Sequence, residues 1–111
     1  MSIEQSNVVD FINISNDQNI AYASISDHLD WTENEEKHLI LLQNKINNYL
    51  AFFESGEIER KFPETKGKKL VINLVLKFNP SEKGNEFLSI AENIVEDAGF
   101  GFRVDIIGGR K

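Results

Sequence analysis

The chain has 111 residues, 41% of them hydrophobic and 27% charged, with no cysteine and a formal net charge of −6. That length fits one domain, 1–111, with loose ends at 1–6 and 108–111, and the composition excludes disorder, disulfides and thiolate-ligated metal. The acidic balance argues against nucleic acid or an anionic membrane as partner.

Residues 7–14 read as a strand, rich in Val, Ile and Phe. Its facing stays open, because Val9 and Phe11 compete with Ile12 and Ile14. A polar turn over 15–19 leads to a second strand, 20–26, so the pair forms a hairpin. One long helix follows, over 32–55. Leu39, Leu42, Ile46, Tyr49, Leu50 and Phe53 recur along it at helical spacing. Thr32 with Glu35 fits a capping box, acidic residues crowd the start where the macrodipole favours them, and Gly56 stops it. A helical turn over 58–62 and a loop over 63–67 come next.

The clearest strand is 69–78, where Leu70, Ile72, Leu74, Leu76 and Phe78 alternate with Val71, Asn73, Val75 and Lys77. Asn79 and Pro80 open a second helix. Its buried stripe is Phe87, Leu88, Ala91, Ile94, Val95 and Ala98, and Gly99 ends it. The last strand, 100–107, puts Phe100, Phe102, Val104 and Ile106 on one face. The order is ββαβαβ. Each βαβ unit is expected to be parallel and right-handed. The expected fold is α+β: a two-layer sandwich with both helices on one face of a four-stranded mixed sheet. Strand order does not follow from the pattern.

No basic region precedes an apolar core at the N-terminus, and the longest apolar run, 70–76, is broken by Asn73 and too short to span a bilayer. A cytoplasmic location is expected. Charge is unevenly divided. Residues 1–59 carry 11 acidic and two basic side chains; residues 60–111 carry 7 acidic and ten basic. Arg60, Lys61, Lys66, Lys68 and Lys69 fall in one stretch, which reads as a solvated loop because single-strand binders interleave aromatics with their basic groups.

Four groups are candidates for function. Asp27, His28, Asp30, Glu35 and His38 place two imidazoles among carboxylates, the types used for metal binding and acid–base work. Their spacing matches no established ligand pattern, so no metal or cofactor is predicted, and helix capping with locally bonded imidazoles is the simpler reading. Trp31 is either a staple of the helix to the core or a binding anchor. His38, Leu41, Lys45, Asn48 and Phe52 form an edge of the long helix. Leu41 and Phe52 there are larger apolar groups than a solvated edge requires, so they lie under a neighbouring helix or form a partner surface. Val71 and Val75 lie with Arg103 on the open sheet face, where either a homodimer or ordinary β-propensity on an exposed strand would explain them. Phosphate-binding glycine loops, nucleophile elbows, zinc-protease motifs, EF-hand loops and internal repeats are missing.

The run 25–31, then His38, Leu39 and Gln43, then Tyr49, Leu50 and Glu57, resembles a family of small bacterial proteins with no assigned function. Residues 79–81 and 96–100 share the resemblance, which covers nearly the whole chain. It implies an uncharacterised bacterial protein and transfers no catalytic residue. The expected function is a non-catalytic protein-interaction module, immunity-protein-like or regulatory, using His28, Asp30, Trp31, His38, Leu41 and Phe52 toward its partner. The alternative is a small metal-assisted enzyme using His28, His38 and nearby carboxylates. Homodimerisation through the sheet face is a third, separate expectation.

Overall fold

A computed structural model describes residues 12–15, 17 and 19–107. The protein is α+β. Four strands, β1 (Ile12–Ser15), β2 (Ile20–Asp27), β3 (Lys69–Leu76) and β4 (Gly101–Ile106), lie in the order β1-β2-β3-β4. The hairpin β1–β2 is antiparallel, whereas β2–β3 and β3–β4 are parallel. Helix α1 (Glu35–Glu54) joins β2 to β3, followed by the short α2 (Glu57–Lys61) and a 3-10 turn, Pro63–Thr65. Helix α3 (Glu82–Asp97) joins β3 to β4. Parallel crossovers are right-handed, and both here step in the same direction across the sheet, so both helices fall on one face.

The core lies between those layers. Ala23, Ile25, Ile72, Leu74 and Leu76 from the sheet pack against Leu42, Ile46, Tyr49, Phe53, Leu88, Ala91 and Val95 from the helices. The hairpin register pairs Ile12 with Ala23 and so sends Ile12 to this side. Val9 and Phe11 lie outside the described residues.

Several boundaries differ from the sequence reading. Helix α1 starts at Glu35, three residues later than expected, with Asn34 in the left-handed region at φ 53° as its cap and no side-chain capping bond. The capping box fails because both members are engaged elsewhere. The Thr32 hydroxyl donates to the Asp30 carboxylate, and Glu35 accepts from the Ser81 hydroxyl. Helix α3 is capped by Ser81 rather than Asn79, its Oγ accepting from the Gly84 N–H at 3.1 Å. Strand β3 ends at Leu76, not Phe78. Beyond it the ladder closes with Lys77 N–H donating to Asp27 O and Ile107 N–H to Leu76 O, both at 2.9 Å.

The expected stripe of α1 is largely borne out, with Leu42, Ile46, Tyr49, Leu50 and Phe53 buried and Leu39 half-buried against the core. That of α3 is only partly so. Leu88, Ala91 and Val95 are buried, but Ile94 is 53% exposed and Ala98 is also exposed. The buried positions of this 16-residue helix are those three and Gly84, which lies against Trp31.

Candidate functional site

Strand β2 sends Ala21, Ala23, Ile25 and Asp27 to the helix side, and all four are buried. Three are apolar, as that face requires. The fourth is a carboxylate, and a buried carboxylate needs partners. Asp27 Oδ1 accepts the Leu29 N–H at 3.1 Å, and Oδ2 lies 2.6 Å from His38 Nε2. His38 is on the first turns of α1 and is 2% exposed. Its other nitrogen, Nδ1, donates to the Asp30 carbonyl at 3.1 Å. The segment between β2 and α1 therefore wraps around one imidazole.

Both acceptors fix where hydrogens sit. A carbonyl can only accept, so Nδ1 bears a proton. Nε2 faces a carboxylate oxygen, so one further proton lies between ring and carboxyl. The Trp31 ring covers the imidazole at a centroid distance of 4.0 Å, tilted by 33°. Trp31 rests in turn on α3. A Cβ at Gly84 would stand 2.6 Å from Trp31 Cζ3, so glycine is what lets the indole in. With the Ser81–Glu35 contact beside it, the starts of α1 and α3 are joined at the carboxyl ends of β2 and β3.

Outside this closed centre is a cleft of about 350 Å³, lined by His28, Asp30, Glu33, Lys37 and His38 with Leu29, Leu41 and Phe78. His28 is exposed at its lip. Asp30 is exposed too, and its carboxylate accepts from the N–H groups of Thr32 and Glu33 at 3.1 and 3.3 Å. Those backbone bonds hold its carboxyl below the usual carboxylate value of 3.8. The expected candidates thus separate. His28 and Asp30 are on the surface, Leu41 and Phe52 are half-buried against the core, and Trp31 and His38 are inside. Two carboxylates of the first group part as well, Asp27 turning inward while Glu35 reaches α3. His38 has no nitrogen left for an ion, and among the described residues no group of three His, Asp or Glu side chains is placed to hold one.

The edge of α1 is less uniform than its spacing implied. His38 and Lys45 are fully buried, and Lys45 Nζ stands 5.4 Å from the centre of the Tyr49 ring. Tyr49 donates to the Ser24 carbonyl at 2.9 Å, which ties α1 to β2 again. On the open sheet face, Val71 is buried and Val75 half-buried. The exposed Arg103 lies 5.7 Å from the Tyr22 ring centre and 3.4 Å from Asp105. The basic segment stays at the surface, with Lys68 Nζ donating to Asn19 Oδ1 at 3.3 Å.

Sequence reasoning did not single out Asp27 as the partner of His38, nor Gly84. One signal was available for Asp27: it continues the inward alternation of Ala21, Ala23 and Ile25 as a charged residue.

This arrangement is that of an α+β protein in which, among the described residues, the one buried acid–imidazole pair is closed upon itself. The chain belongs to DUF6572, a family of unknown function, whose pattern matches residues 1–108. Comparison with curated proteins and with solved structures finds no match.

Proposed function

We propose that this chain is a non-catalytic protein-interaction module, an acidic partner of the immunity-protein type. The observation that carries the reading is the closure of the Asp27–His38 centre. The imidazole is buried and both its nitrogens are engaged, so it offers no group to a substrate. Other acidic side chains of the first half behave oppositely. Asp30, Glu33, Glu36, Glu54, Glu57 and Glu59 all stay exposed. Exposed charge of one sign speeds encounter with a partner of the other and suppresses wrong pairings.

Capture of the tagged chain from its native cells, followed by native mass spectrometry, tests this. The expected result is a stoichiometric complex that weakens with salt and with Glu33→Lys plus Glu36→Lys. Repeated recovery of no partner, or of one indifferent to salt, counts against it.

A second reading, a metal-assisted enzyme, draws on one observation: His28 shares its cleft with Asp30 and Glu33. Stoichiometric metal in the purified protein, lost on His28→Ala, would favour it instead.

A further inference from the structure

We infer that the outer groove between α1 and α3 receives a basic amphipathic helix from a partner protein. This rests on the interaction reading and names its surface and its ligand. The groove has a volume of about 180 Å³, with Ile46 and Ala91 at its floor and Phe87, Ile90 and Ile94 along one wall. Ile90 and Ile94 are 58% and 53% exposed. Two isoleucines so exposed one turn apart on one wall mark a contact surface more than chance apolar decoration.

Helical spacing sets what borders it. On α1 the ridge runs Glu36, Ile40, Gln43, Asn47 and Glu54, in steps of three, four or seven. On α3 it runs Lys83, Glu86, Ile90, Ile94 and Asp97 in steps of three or four. The charged side chains along these two ridges are therefore four exposed carboxylates and one exposed ammonium. Both helices run antiparallel to the strands they join, so they lie side by side in the same direction. The lining on α3, Phe87 to Ile94, covers about 11 Å at 1.5 Å per residue, which matches about two turns of a partner helix.

A helix laid in such a groove presents apolar anchors at i, i+3, i+4 and i+7. Its flanks must then meet the carboxylates, which selects Lys and Arg there. A second copy of this chain is a poor occupant, because two acidic borders would face one another.

The test is selection from a display library of 16-residue amphipathic sequences against the full-length chain. Enriched sequences should be helical on binding and basic at the flanks. Ile90→Ser with Ile94→Ser, at exposed positions, should weaken them about tenfold or more, as loss of central apolar anchors does. Glu86→Lys with Asp97→Lys leaves the apolar trough intact and should shift the preference toward acidic flanks. Absence of enrichment, enriched sequences with acidic or no charge bias, or binding unchanged in the double-serine variant would overturn the inference. So would a dimer in sedimentation that the serine variant dissolves, since the occupant would then be a second copy. A native partner still captured by the double-serine variant would remove the groove and leave the interaction reading standing. Capture of no partner would remove that reading whatever the library yields.

Discussion

Asp30 shows how one exposed side chain can shape a helix start. Its carboxylate gathers the N–H groups of Thr32 and Glu33 and the Thr32 hydroxyl, so α1 begins at Glu35 and not at Thr32. Those bonds favour the ionised form and lower the carboxyl below its usual 3.8. A group held lower in the folded state contributes stability above its unfolded value and loses it as pH falls through its folded value. Urea midpoints of the wild type and Asp30→Ala should therefore differ most near neutral pH, with the gap narrowing once pH drops below about 4. A gap that widens with acid would contradict the assignment. His38 is the contrasting residue. Its type suggested chemistry, but Asp27 and the Asp30 carbonyl take both of its nitrogens. Nothing in the spacing of Asp27 and His38 reveals that meeting, because it depends on how the segment between β2 and α1 folds back.

At the scale of elements, what was legible was periodicity. The alternation of Leu70, Ile72, Leu74 and Leu76 located β3 and its inward face, and the 3.6-residue stripe located α1. Capping was misread at both long helices, since Thr32 is taken by Asp30 two residues back, Glu35 by Ser81 of α3, and Ser81 rather than Asn79 accepts from Gly84. Ile94 was misassigned to the interior because helical phase alone does not say how wide a stripe the sheet can cover. The role of Gly84 was not legible for a similar reason. In a sequence it looks like a weak helix residue; in the fold it is the seat of Trp31. Gly84→Ala gains about 1 kcal/mol of helix propensity. The added Cβ would press on an indole ring held between α3 and His38, and overpacking costs about 1–3 kcal/mol. The net expectation is a loss of stability, read as a lower denaturation midpoint, with the Trp31 fluorescence displaced. A stabilised Gly84→Ala variant would show that the indole moves aside freely.

Across the whole molecule, charge and shape are separated. The sheet and the joined helix starts make a platform, and the acid-rich helix layer faces outward. Association with a basic partner should be steered by that field. Its on-rate should fall steeply between low and physiological salt, where the screening length shrinks from about 30 Å at 0.01 M to about 8 Å at 0.15 M. Stopped-flow mixing with the captured partner reads this directly, and a rate indifferent to salt would argue for purely apolar docking. On the open sheet face, Arg103 is already paired with Asp105 and laid near Tyr22, so its charge is partly answered within the chain.

Everything functional in this account depends on His38 belonging to the architecture. A double-mutant cycle on Asp27→Asn and His38→Gln, followed by urea unfolding, measures that most directly. Each single change is predicted to cost roughly 3 kcal/mol, because it disrupts a buried pair. The double variant should lose clearly less than the sum of the two, with a coupling of about 1–3 kcal/mol. Additive losses, or a His38→Gln variant as stable as the wild type, would contradict the claim and return the imidazole to the list of groups available for chemistry.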